Sequence, residues 1–384
     1  MKAVSASTNA LDAYRAGVEL ADAMAELNPE IIFLFSTVHY EQPEELVEAI
    51  YDTLNNNQLI IIGNSGDGYY ETHGIEEVGA AAIGLNSDNR VQWHIDLEKG
   101  LEDSPTEVTD RILARIVAAG KDELPKLVFM AVDFRTDASL VGEVIERESR
   151  FPIIGGMAAD DNKMASCFLY CNREAVRDAI VAVAAYGSIN FDIAISNTLT
   201  PIGKPGTVDE AKGANIIRVD GIHATEFIER ETGKPVLQTD RGITSLTIID
   251  PDQPGIRRLR SIVPDFSSSD TSLGLFGGIE KGKSVQVCLA EPELIVREVY
   301  ERCREQKEKG FEPVGGIVVS CVGRKWLLGS EIKHELLALT QEFGGSLPIA
   351  GFPSFGEIGP LQLDGQYTRN LFHNMTCITL LIGE

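Results

Sequence analysis

A chain of 384 residues with an apolar fraction of 43% has room for two cores, and with 7% aromatic residues those cores must be mainly aliphatic. Its 34 Lys and Arg stand against 58 Asp and Glu, a formal charge of −24 that repels phosphate backbones and anionic headgroups, so neither nucleic acid nor a bare membrane is an expected partner. No basic start leads into an apolar leader and no apolar run approaches the ~20 residues of a membrane span, which makes the cytoplasm the expected location.

In chain order, the first clear pattern is a strand at Ile31-Ile32-Phe33-Leu34-Phe35, ending in Ser36 to Tyr40. A helix follows with Leu46, Val47, Ile50 and Leu54 on one face, then a strand at Leu59 to Ile62 that closes on Gly63 to Gly68. The order recurs with strand Leu127 to Val132, a helix carrying Leu140, Val141, Val144 and Ile145, and strand Phe151 to Ile154 before Gly155-Gly156. Two scattered cysteines, Cys167 and Cys171, enclose Phe168, Leu169 and Tyr170 in an apolar run. Without a second such pair among the six cysteines they predict neither a zinc site nor a disulfide framework.

Asp178 to Gly187 and Phe191 to Leu199 read as a hairpin. Pro201 to Ala214, with three glycines and two prolines, reads as a loop, Asn215 to Asp220 as a short strand, and Ala224 to Arg230 as a helix. A domain boundary is expected close to residue 220, giving domains 1–219 and 220–384. Ile248 to Asp270 predicts an irregular connection, and its Arg257, Arg258 and Arg260 a solvated basic turn.

Gly277 to Ser284 matches the phosphate-loop pattern GxxxxGK[ST]. The residues that follow, Val285 to Leu289, alternate like a strand where a phosphate site needs a helix, and the preceding Ser267 to Ser272 is turn-like. The match therefore reads as a plain turn. The third strand–helix–strand unit runs from Gly316-Ile317-Val318-Val319 through a helix carrying Ile332, Leu336, Leu339 and Phe343 to Leu347-Pro348-Ile349-Ala350 and the turn Gly351 to Gly359. Aliphatic strands flanking a helix predict parallel pairs buried on both faces, and a right-handed crossover puts their ends on one side of the sheet. With alternating segments at Ser284 to Ala290 and Leu371 to Leu381, the expected fold class is α/β with mixed sheets, two domains built from repeated strand–helix–strand units.

Six stretches together resemble the FIST family of sensory proteins over about residues 25–384: Ile61 to Gly68, Pro152 to Gly156, Pro201-Ile202-Gly203, Val219-Asp220-Gly221, Gly351 to Pro360 and Phe372 to Thr376. The resemblance implies an intracellular, non-catalytic sensor with a FIST N-terminal domain and a ligand-sensing FIST C-terminal domain. It implies a small ligand, amino acids among the proposals. Output would pass to a signalling partner such as a histidine kinase of a two-component system or a cyclic-dinucleotide enzyme. Some stand-alone members are proposed to be haem proteins that sense nitric oxide, so haem is an alternative cofactor.

The residues themselves point to the turn that ends the third unit. Gly351 and Gly356 expose backbone amides, Ser354 offers a hydroxyl and Glu357 an acceptor for an ammonium group, while Arg324 could grip a carboxylate. His373 and Asn374 close the expected ligand-binding set, and His373 shares a strand face with Met375 and Cys377, which makes it, or His39, the alternative haem ligand. The third reading is a hydrolase of small metabolites built on Ser354 or Cys321 with His373. Neither Ser65 nor Ser354 lies in a GxSxG elbow, so no catalytic residue is expected.

Overall fold

The computed structural model describes residues 1–235, 237, 242–250, 256–263, 272–363 and 365–383. The first unit runs β1 (Lys2–Thr8), α1 (Ala13–Met24), β2 (Ile31–Ser36), α2 (Pro43–Leu54), β3 (Ile60–Ser65), β4 (Tyr69–Glu71), β5 (Gly74–Glu76) and β6 (Ala80–Asn86). The second repeats that order as β7 (Val91–Lys99), α3 (Pro105–Ala119), β8 (Leu127–Val132), α4 (Ala138–Glu148), β9 (Ile153–Met157), β10 (Leu169–Cys171), β11 (Glu174–Val176) and β12 (Ala179–Gly187). The third opens with β13 (Asn190–Ser196). It is then interrupted by β14 (Thr200–Lys212), β15 (Asn215–Val219), β16 (Ile222–His223), α5 (Ala224–Thr232), β17 (Thr244–Ile249), β18 (Arg258–Val263), β19 (Leu273–Leu275) and β20 (Ser284–Leu289). It resumes as α6 (Pro292–Glu308), β21 (Pro313–Cys321), α7 (Val322–Leu328), α8 (His334–Phe343), β22 (Ile349–Ser354), β23 (Glu357–Leu363), β24 (Gln366–His373) and β25 (Cys377–Gly383).

Each unit builds four strands of its own sheet in one order: β1-β6-β2-β3, β7-β12-β8-β9 and β13-β25-β21-β22. The expected parallel pairs are β2 with β3, β8 with β9, and β21 with β22. The two short strands left over in each unit are given away. β4 and β5 extend the third unit's sheet at β22, β10 and β11 extend the first at β3, and β23 and β24 extend the second at β9. The exchange is cyclic, so every unit completes one neighbour and is completed by the other.

The inner faces of the three sheets share one core. Phe35 of β2, Phe129 of β8 and Phe352 of β22 meet there, with ring centroids 6.0 and 5.1 Å apart for Phe35–Phe129 and Phe35–Phe352. Each outer face carries two helices: α1 and α2 over Ile32, Leu34 and Ile61; α3 and α4 over Val128, Met130 and Ile153; α6 and α8 over Val318, Ile349 and Leu381. Burial on both faces is why these strands are unbroken aliphatic runs. The inserted strands form a fourth, separate sheet in the order β14-β20-β17-β18-β19-β15-β16, with its own core around Phe227, Val285 and Val287.

Several local expectations are corrected. β12 and β13 do not pair: β12 lies between β7 and β8, and β13 lies on β25. Pro201 to Ala214 is mostly strand β14, which pairs with β20 over Thr200–Thr207 and with β15 over Val208–Lys212; Pro201 is tolerated because only β20 pairs with that first stretch, where the ladder bulges between Ile202 and Gly206. Ile248 to Asp270 contains the regular strand β18; its residues 251–255 and 264–270 lie outside the described residues, as does most of Ser267 to Ser272. Arg258 and Arg260 lie within β18 and are not a solvated turn; Arg260 is buried. Gly351 to Gly359 is two strands, β22 and β23, joined at Phe355-Gly356. Leu371 to Leu381 is likewise broken at Asn374 to Thr376, where Met375 takes φ 57°, so His373, Met375 and Cys377 do not share one strand face. The phosphate-loop match does run into β20.

Gly63, Gly155 and Gly351 occupy the same place in the three parallel pairs. Each sits opposite a residue of the partner strand whose carbonyl oxygen would be 1.7, 1.9 and 1.9 Å from an added Cβ, namely Leu34, Met130 and Val318. Backbone cannot yield there, so Gly351→Ala is expected to cost about 3 kcal/mol or more. Gly345→Ala, with nothing within 4 Å, should stay within about 0.5 kcal/mol. Urea unfolding of the two variants beside the wild type checks this; equal midpoints would refute the close-approach account.

Candidate functional site

β21 and β22 end side by side, with Cys321 opposite Ser354. Beyond these ends the chain enters α7 on one side and reaches Phe355 on the other, and the inserted sheet approaches with Ser261, Ile262 and Val263 of β18 and with Phe276. The cleft enclosed between them has a volume of about 50 Å³ and is lined also by Met164, Gly242, Val322, Gly323, Trp326 and Asn374. Among the described residues, none of its lining side chains is charged. Asn374 fastens its two walls together: its Oδ1 accepts from the Ser261 amide and its Nδ2 donates to the His373 carbonyl, both at 3.0 Å. The Ser261 hydroxyl is buried without a partner among the described residues, and burial pushes the Cys321 thiol far above its ordinary range, so it faces the cleft as a neutral SH.

Behind the cleft, Ser354 donates to Glu357 Oε1 at 2.6 Å, while Thr376 donates to Oε2 through its amide at 3.2 Å and its hydroxyl at 2.8 Å. Glu357 is fully buried, and that desolvation outweighs the three hydrogen bonds and the field of Arg324, lifting its pKa to about 7. Arg324 turns the other way. Its Nε donates to Glu335 Oε1 at 2.7 Å, and Glu335 also accepts from the Tyr70 hydroxyl at 2.9 Å, so the guanidinium fastens α7 to α8 and to the donated strand β4. Lys325 and Trp326 of the same helix bond Asp67, another residue of the first unit.

Of the residues expected from sequence, Ser354 and Asn374 line the cleft and Glu357 stands one hydrogen bond behind it. Gly351 packs on Val318, and Gly356 lies where a Cβ would meet the Phe372 ring at 2.5 Å. His373 is wholly enclosed, its Nε2–H donating to the Gly359 carbonyl at 3.0 Å and its Nδ1 unpartnered; burial holds its pKa down at about 4. That environment does not fit haem ligation: Nε2 is engaged by backbone, and His373 does not border the cleft. His39 lies elsewhere, with Nε2 4.0 Å from Asp161. Nor do Ser354, Cys321 and His373 form a hydrolytic constellation. Ser65 donates to the Ala159 carbonyl at 2.8 Å, and no hydrogen bond joins His373 to Ser354 or Cys321. Sequence reasoning missed Ser261, Phe276, Met164 and Trp326, because nothing local marks residues that an inserted sheet brings to a distant strand end. Trp326, one of two tryptophans and only five residues past a strand end, was the available signal.

Comparison with known families decides the family. A model of the FIST N domain matches residues 30–222 and one of the FIST C domain residues 232–360. The chain belongs to the FIST family. FIST domains are sensory domains of signal transduction. An uncharacterised protein of Mycobacterium tuberculosis H37Rv is 25% identical over 242 residues, covering 60% of this FIST chain and 61% of that protein. An uncharacterised protein of Methanocaldococcus jannaschii is 25% identical over 199 residues, 50% of this chain and 38% of its own. The chain thus matches less than two thirds of the length of these relatives. A solved structure of PurLQS from Thermotoga maritima overlaps with 9% identity, covering 100% of this chain and 72% of its own, at a TM-score of 0.20, which carries no argument about fold. Among the described residues no helix is long and apolar enough to cross a membrane, and no group of three or more His, Cys, Asp or Glu is placed to hold a metal.

The buried carboxyl makes a prediction. Glu357 binds its proton more tightly folded than unfolded, so its contribution to stability is complete below about pH 4.5 and is lost as pH rises through about 7. Glu357→Gln mimics the protonated form, donating to Ser354 while accepting from Thr376. The stability of the variant relative to wild type should therefore grow between about pH 5 and pH 7, by an amount on the order of a few kcal/mol, and level off above. Urea titrations across that range test it; a pH-independent difference would show that Glu357 ionises normally.

Proposed function

We propose that this chain is a small-molecule sensor whose ligand occupies the cleft between the inserted sheet and the ends of β21 and β22. The observation that carries this reading is that the cleft joins two separately cored parts of the protein: Ser261 to Val263 and Phe276 belong to the insert, Cys321 to Trp326 and Ser354-Phe355 to the third unit. A ligand touching both walls fixes their relation, and it shifts an equilibrium between arrangements only through its different affinity for each. All lining residues except Met164 lie beyond residue 220, which supports assigning ligand sensing to 220–384 and a framework role to 1–219.

The lining favours a neutral, largely apolar ligand with one or two hydrogen-bonding groups for Ser261, Ser354 and Asn374. A free amino acid would leave both its charges unmet there, because Arg324 and Glu357 face away. The changed arrangement would be read by a separate signalling protein, a histidine kinase or a cyclic-dinucleotide enzyme, in the cytoplasm.

Trp326 reports on the cleft directly. In a Trp93→Phe background it is the sole tryptophan, and a panel of uncharged small metabolites can be screened by its emission and by thermal shift. Binders are expected to change the emission, and Ser261→Leu, which fills the cleft, should weaken them by about tenfold or more. Binding that survives Ser261→Leu unchanged would move the site elsewhere.

A further inference from the structure

A second cleft lies where β18 and the loop after β19 meet α4 of the second unit; Glu143, Glu146, Arg258, Arg260, Glu280 and Phe372 border it. Arg258 and Arg260, two apart on one strand, share a face. Arg258 has its counter-charge, forking its two Nη atoms onto Glu146 at 2.9 and 2.7 Å, although its Nε has no partner among the described residues. Arg260 has no such ion pair among the described residues. It is 6% exposed, and its Nη1 donates to the Leu259 carbonyl at 2.9 Å and the Phe372 carbonyl at 3.0 Å, with the guanidinium 5.1 Å from the Phe372 ring centroid. Its Nε is buried with no acceptor, its Nη2 makes no hydrogen bond, and no carboxylate of the described residues reaches ion-pair distance.

Burial lowers the Arg260 pKa to about 10, so the group is still a cation at neutral pH. A buried cation that Asp137, Glu143 and Glu146 influence only from beyond ion-pair distance, holding idle donors, is costly. The idle atoms are also the pair that form one edge of the guanidinium, the edge that meets two oxygens of a carboxylate or phosphate side by side. The neighbouring loop passes close to this edge and adds no side chain against it: Gly277 has φ +93°, and a Cβ there would lie 3.3 Å from Arg260 Nε and 2.9 Å from the Phe372 ring. This is the loop that matches the phosphate-binding pattern by letter. Without a helix behind it, its contribution is clearance rather than converging amides. The acidic rim limits the ligand. Glu143 carries a raised pKa from burial and then from Glu280 and Asp137, and a polyphosphate would meet those carboxylates.

We propose that the Nε and Nη2 edge of Arg260 receives a single oxyanion, carboxylate or phosphate, of a small ligand entering this cleft. The site is separate from the apolar cleft and does not depend on the sensor reading.

The test uses the full chain labelled with ¹⁵N-arginine, titrated with acetate and with inorganic phosphate at constant ionic strength. One Nε–H resonance, assigned by its loss in Arg260→Lys, should shift saturably. Saturation by acetate alone identifies a carboxylate ligand, and by phosphate alone a phosphorylated one. Glu143→Gln, which removes a repelling carboxylate without touching Arg260, should tighten the apparent Kd by about threefold. No saturable shift with either anion, or a Kd unaltered by Glu143→Gln, overturns the proposal and leaves Arg260 as a clip between β18 and β24. The Glu143→Gln arm stands even if Arg260→Lys fails to fold.

Discussion

The structure depends on the cyclic exchange of short strand pairs. A unit of four strands and two helices has a sheet edge at β3, β9 or β22 that would otherwise expose unpaired amides and carbonyls. Each edge is closed by a strand pair from another unit, so no sheet is complete until all three units are in place. The shared core of Phe35, Phe129 and Phe352 forms only then. Folding is therefore dominated by pairings distant in sequence, such as Gly351 with Tyr70, which slows assembly and makes it cooperative.

The same exchange explains why the family's two matched regions form one body. The match to residues 30–222 includes β4, which extends the third unit's sheet at β22, and β9, whose sheet is extended by β23; β22 and the start of β23 lie in the region matched at 232–360. A contact at the third unit's strand ends is thereby connected to the first unit, through Asp67 with Lys325 and Trp326 and through Tyr70 with Glu335 and Arg324. The inserted sheet is the part not bound into the exchange. Both clefts lie along its border, one neutral and one dominated by charge, as expected where a separately cored layer rests on a rigid frame.

Around the apolar cleft, burial works against charge on the polar groups. Glu357 keeps three hydrogen bonds and still has a raised pKa, His373 is held neutral, and Cys321 remains a thiol. Desolvation outweighs hydrogen bonding at each of these positions because all three are shut away from water. The charges that sequence alone would aim at a ligand are consumed instead by the framework, as when Arg324 binds Glu335.

By itself the sequence determined the three crossovers, their parallel pairing and the mixed sheets, because strands buried on both faces must be continuous aliphatic runs and amphipathic helices must repeat at helical spacing. It also marked the ends of β21 and β22 as the place to look, and Ser354 and Asn374 do reach the cleft there. Only the tertiary structure decided which strands meet. Short segments such as Tyr69–Glu71 and Leu169–Cys171 carry too few residues for a pattern, and their partners lie in other units, so β12 and β13 could pass for a hairpin. Likewise the roles of Arg324, Glu357 and Arg260 turned on who stands beside them once folded. A charged residue reads the same in sequence whether its partner is water, a buried carboxylate or nothing at all.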